Sequence, residues 1–102
     1  MAAAPAPEKH VSFTVLVSKS STERRLGLRV VFDPSRGFLV VEEVKAEGLV
    51  PTENKLRLSR NQPTVDAGDF LVSVNGCSGE FAIMQREFTD SESLQLVFVK
   101  QP

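Results

Sequence analysis

Tryptophan and tyrosine are absent from this 102-residue chain, cysteine and histidine occur once each, and neither sign of charge is in excess, the formal net charge being -1. Each absence removes a class of function. Without Trp and Tyr, any base-stacking surface would fall to seven phenylalanines, most of which sit at positions that read as strand or helix core. With no basic surplus either, the composition argues against nucleic acid. The single Cys77 excludes an intramolecular disulfide and a multi-cysteine zinc site and suits a reducing compartment, so a cytoplasmic location is expected. No apolar run approaches the roughly 18 residues that a membrane-spanning helix needs. Membrane contact is expected only indirectly, through a partner.

Catalytic constellations are also missing. Glu42 and Glu43 are neighbours on an expected strand and so face opposite ways, Cys77 has no histidine near it in sequence, and no phosphate-cradling Gly-Lys motif exists. The expectation is a protein that is not an enzyme and carries no metal or cofactor. His10 ends an Ala/Pro-rich opening that lacks the basic start and apolar centre of a secretory signal. Residues 1–10 read as a flexible tail and residues 11–100 as one domain, long enough for a single core.

What is present is mostly strand. Val11, Phe13, Val15 and Val17 alternate with Ser12, Thr14, Leu16 and Ser18, the period-2 pattern of a half-buried strand. After a polar loop comes a second strand over 26–32, in which Leu26, Leu28, Val30 and Phe32 share one apolar face and Gly27 separates two leucines. A glycine there serves either as a bulge or turn, or as a tight turn that aims consecutive N–H groups at one spot and attracts an anion. Lys19, Arg24, Arg25 and Arg29 surround it with Glu23 opposing. An acidic group such as a peptide's terminal carboxylate suits such a place.

Asp33, Pro34, Ser35, Arg36 and Gly37 have turn chemistry and make a hairpin with a third strand over 38–44. Pro51 suits the first turn of a helix, but the apolar spacing at Val50, Leu56 and Leu58 supports only a turn or two. Residues 58–64 read as a surface loop. Lys55, Arg57 and Arg60 are then either a solvated loop or a second contact surface. Gly68-Asp69 is a turn, Phe70, Val72 and Val74 form the buried face of the next strand, and Asn75-Gly76 reverses the chain. Phe81, Met84 and Phe88 recur at helical spacing. Leu94, Leu96 and Phe98 alternate through a last strand.

The order strand, Leu-Gly-Leu strand, hairpin strand, short helix, strand, amphipathic helix, final strand resembles a PDZ domain. The resemblance rests on the stretch from Ala67-Gly68-Asp69 to Val74-Asn75-Gly76, on Arg25-Leu26-Gly27-Leu28 and on the link Val44 to Val50. It implies an α+β, mainly β fold, a partly open five- to six-stranded barrel or sandwich capped by two short helices. It also implies a protein interaction module. A partner's C-terminal peptide would add as a strand between 26–32 and the helix over 81–88, its carboxylate on the N–H groups of Leu26, Gly27 and Leu28, with Arg25 and Arg29 nearby.

By the same resemblance, Leu26, Leu28, Val30 and Phe88 would enclose an apolar last side chain. Phe81, followed one turn later by Gln85, would face an apolar third-from-last one. A one-residue shift puts Glu80 there instead, and Phe81 is then simply core. Leu28 stands where the family often has an aromatic residue, and the link over 51–65 is long for it. Other readings are an internal-segment binder, a structural or dimerisation module, and a detached regulatory domain of a protease. A monomer is expected, with strand edges that allow a dimer. Gly27→Val is expected to abolish peptide binding while leaving the fold intact.

Overall fold

The computed structural model describes residues 12–100. The expected tail and Val11 lie outside them. In order they form β1 (Ser12–Ser18), β2 (Leu28–Asp33), β3 (Phe38–Val44), α1 (Leu49–Ser59), β4 (Phe70–Val74), α2 (Phe81–Asp90) and β5 (Ser93–Val99). The strands make one antiparallel sheet of order β1-β5-β4-β3-β2, so among the described residues β1 and β2 are its two edges. Alternation fixes which face of each strand goes inward. Phe13, Val15 and Val17 of β1, Leu39 and Val41 of β3, and Leu94, Leu96 and Phe98 of β5 are buried together, joined by Val50 of α1, Val65, and Met84 of α2. Phe13 stacks on Phe98 with ring centroids 5.8 Å apart.

Besides β2, which begins at Leu28 rather than Leu26, two elements differ from the expectation. In β4 the pairing with β5 slips between Leu71 and Ser73, which leaves Val72 as an extra residue. Leu71 and Val74 therefore form the buried face, while Phe70 and Val72 turn to the opposite side of the sheet. There they line a cleft of about 450 Å³ with Phe38, Val99 and Arg36.

The second difference is α1, which runs for 11 residues rather than a turn or two and takes in Leu58 and Ser59 from the expected loop. Only its first turn reaches the core, through Val50 and Pro51, and Leu56 and Leu58 are exposed. The rest is held by polar contacts. Asn54 Nδ2 donates to the Val65 carbonyl at 2.8 Å, and its Oδ1 accepts from the Val65 N–H at 2.9 Å. Arg57 donates from Nε to the Pro63 carbonyl at 2.6 Å and lays its guanidinium 5.1 Å from the Phe13 ring centroid. Arg57 is thus half-buried, whereas Lys55 and Arg60 are exposed.

The Gly68-Asp69 turn has a structural use. Asp69 is 2% exposed; its Oδ2 accepts from the Asp66 N–H and from Lys100 Nζ, both at 2.8 Å. Burial alone would depress the Lys100 pKa, but its hydrogen bonds to Asp66 and Asp69 outweigh that and hold it above the ordinary value. This clamp ties the chain's end to the start of β4.

Candidate functional site

The outer edge of β2 pairs with no strand among the described residues, and α2 meets β2 through the Phe81 and Phe32 rings. The loop that leads into β2 is shaped by what holds its carbonyls. Leu49 N–H donates to the Arg25 carbonyl at 2.9 Å, Val50 N–H to Leu26 at 2.9 Å and Lys45 N–H to Gly27 at 2.8 Å. The amides of Leu26 and Gly27, in contrast, have no acceptor among the described residues. Because Gly27 turns its carbonyl toward β3, strand alternation turns the Leu28 N–H to the free edge. Three successive amides are therefore left for an outside acceptor.

Gly27 (φ +84°) makes this turn possible at close quarters. A Cβ there would lie 2.5 Å from Pro51 Cδ and 2.9 Å from the Glu47 carbonyl. Gly48 (φ +139°) is its counterpart from α1, where a Cβ would lie 2.5 Å from Gly27 Cα. The loop is thus pressed against the start of α1. Gly27→Val consequently cannot leave the fold untouched, and the expectation that it would act on binding alone is corrected.

The walls follow from the two elements. Leu26, Leu28, Val30 and Phe32, on β2 and its lead-in loop, and Phe88 of α2 are all half-buried and pack against the core. The Phe32 and Phe81 rings lie 5.6 Å apart, a contact between β2 and α2. Phe81 is 41% exposed, which fits a groove residue better than a core one. Glu80 occupies the N-cap position of α2 without a side-chain capping bond, and Gln85 is exposed one turn after Phe81. Met84 is the helix's anchor in the core. Phe32 and the Gly48–Pro51 backing were not singled out from the sequence, although Phe32 lies in the same alternation as Leu28 and Val30. Lys19 also belongs here: its Nζ donates to the Phe88 carbonyl and, at 3.5 Å, to that of Thr89, at the last turn of α2.

The charges around the loop differ from the expectation of Glu23 alone in opposition. Arg24 makes a two-pronged ion pair with Glu92, at 3.0 and 2.5 Å. Arg25 Nε is 3.2 Å from Glu23, and its Nη2 is 3.4 Å from Glu47. Arg29 reaches Glu42 and Glu43, both at 3.6 Å. Glu23 and Glu92 are held below the ordinary carboxylate range by hydrogen bonds from Arg25 and Arg24 respectively. With Lys19, four cations face five glutamates, so the side chains around the loop carry no net positive charge.

No family model and no curated protein matches the sequence. Among solved structures the chain is similar to the crystal structure of MUPP1 PDZ4, with a TM-score of 0.64 and 21% identity over 91% of this chain and 78% of that one. The fold is that of a PDZ domain. No helix in the described residues is long and apolar enough to cross a membrane.

Proposed function

We propose that the chain is a protein interaction module that binds the C-terminal tail of a partner as an antiparallel strand on the open edge of β2. The observation that carries this reading is the set of amides at Leu26, Gly27 and Leu28, without acceptors among the described residues, at the head of a strand edge that pairs with none of the described strands. Main-chain hydrogen bonds supply affinity and alternate side chains supply selectivity. Each charge-assisted bond from an amide to the carboxylate contributes on the order of 1.5 to 3 kcal/mol net. Leu26, Leu28, Val30 and Phe88 receive an apolar last side chain. The third-from-last side chain, also apolar, lies on the Phe32–Phe81 pair, with Gln85 between the two positions. Arg25 and Arg29, each held by two glutamates, act as polar rims rather than as anchors. The lone Cys77 supports work in a reducing compartment.

A second reading is favoured by the balance of charge. With five glutamates against four cations, an internal segment that presents a backbone carbonyl to the loop, with no free carboxylate, meets less repulsion. Peptide display with free C-termini, each hit retested as its C-terminal amide, separates the two. Loss of binding on amidation supports the carboxylate mechanism. Equal binding by acid and amide excludes it and supports the internal segment.

A further inference from the structure

The second edge of the sheet, β1, pairs with no strand among the described residues, and the one side chain bonded to its outward backbone is Arg57, at the Thr14 carbonyl. The strand contains no charge, no proline and no bulge over seven residues. The opposite edge, β2, carries Arg29, Asp33 and a register slip between Arg29 and Val30. The Lys19 N–H bonds to the Glu92 carbonyl at 2.7 Å, so by alternation Phe13, Val15 and Val17 bond to β5. Ser12, Thr14, Leu16 and Ser18 then turn their N–H and C=O groups outward.

We propose that β1 pairs antiparallel with β1 of a second copy, about a two-fold axis at Val15. That register sets Ser12 opposite Ser18 and Thr14 opposite Leu16 of the second copy, which matches outward-turned residue to outward-turned residue at all four places. Leu16, 67% exposed as the chain stands alone, gains a cross-strand neighbour.

Charge across the axis complements this register. Along α1, Leu49, Thr52 and Glu53 line a cleft of about 250 Å³ with Leu16, Val17 and Ser18. Leu56 continues the same helix side at i+7. Arg57 lies further along β1, where its Nη1 donates to the Thr14 carbonyl at 3.4 Å. The two-fold axis therefore brings Arg57 of each copy toward Glu53 of the other. Within one chain these two are only at the limit of an ion pair, 4.0 Å apart, and exchange of partner releases the Thr14 carbonyl for the Leu16 N–H of the second copy.

Sedimentation equilibrium of the full chain over rising concentration tests the proposal. The expected result is a monomer–dimer equilibrium that Leu16→Lys, an exposed position that leaves the fold intact by circular dichroism, weakens by about tenfold or more through like charge at the pairing edge. In a Cys77→Ser background, a mixture of Thr14→Cys and Leu16→Cys chains cross-links into heterodimers under oxidation. A chain that stays monomeric up to about 1 mM, the concentration that a Kd of about 1 mM would require, overturns the proposal. So does a Leu16→Lys variant that dimerises as tightly as the parent.

Discussion

Gly27 lies with φ +84° under Pro51 and the Glu47 carbonyl, so two costs fall on any side chain placed there. One is the left-handed backbone, on the order of 1 to 2 kcal/mol for a non-glycine residue. The other is overpacking against α1, typically about 1 to 3 kcal/mol. Gly27→Val is therefore expected to lower stability by about 2 to 5 kcal/mol in urea unfolding as well as to abolish peptide binding; a variant as stable as the parent would show that the loop does not press on Pro51. Val74 is fully buried, and Val74→Asp, which sinks a lone charge into the core, is expected to leave no cooperative unfolding transition. The titrating residues set the limits of pH. Asp33, Glu23, Glu87 and Glu92 all have lowered pKa values, chiefly through side-chain hydrogen bonds from Ser35, Arg25, Asn75 and Arg24 respectively. Their contribution is thus fully present above the ordinary carboxylate range and is lost as pH falls through the lower folded values. Lys100, raised in the fold, contributes below its ordinary value and loses that contribution only in strong alkali. The stability curve is expected to be flat near neutrality and to fall at both ends, the acid fall shrinking in high salt only in the part due to Glu23 and Glu92, whose partners are charged arginines. Denaturation midpoints from pH 3 to pH 11 at two salt concentrations check this.

Elements are joined to one another by a few side chains, and Asn75 joins three of them. It sits at φ +52° in the turn after β4, donates from Nδ2 to Glu87 of α2 at 3.0 Å and to the Ser93 carbonyl at 3.2 Å, and accepts on Oδ1 from the Gln95 N–H at 2.6 Å. Asn75→Ala removes these bonds and strains the turn, so a loss of about 2 to 4 kcal/mol is expected in urea unfolding. Asn75→Gly, which keeps the backbone and loses only the bonds, should cost less. If the two variants are equally stable, the turn is unstrained. Asn75-Gly76 was legible in the sequence as a reversal, and so were β1 and β5, because in each an alternating apolar face coincides with a buried one; β3 was legible as a short apolar run, and α2 from helical spacing, although only its Met84 is buried. The exceptions have physical reasons. The bulge at Val72 inserts one residue into an otherwise regular alternation, which moves burial from Phe70 and Val72 to Leu71 without changing residue type. α1 escapes a hydrophobic reading because Asn54 and Arg57 anchor it through the Val65 and Pro63 backbone and the Phe13 ring. The amides of the Gly27 loop were legible from the Leu-Gly-Leu pattern. The balance of charge around them was not, since Glu42, Glu43, Glu47 and Glu92 reach the loop from β3, the start of α1 and the start of β5.

At the scale of the whole molecule, the strand order places β1 and β2 at opposite ends of one sheet. Pairing through β1 therefore makes a continuous ten-stranded sheet whose two outer edges are both β2, each with its own groove beside α2. The two proposals thus occupy different edges and do not compete for a strand. The consequence is bivalence. On a surface that carries peptide tails at high density, the dimer engages two at once, and the second engagement is governed by effective concentration rather than by free concentration. Apparent affinity on a dense surface is expected to exceed that of the Leu16→Lys monomer by about a hundredfold, while affinity for the same peptide free in solution is equal for the two proteins. Surface plasmon resonance at two peptide densities, paired with calorimetry in solution, reads both quantities. Equal surface affinities at the two densities would mean that the dimer's grooves cannot reach neighbouring tails, and a difference already present in solution would mean that β1 and β2 are coupled through the sheet that separates them.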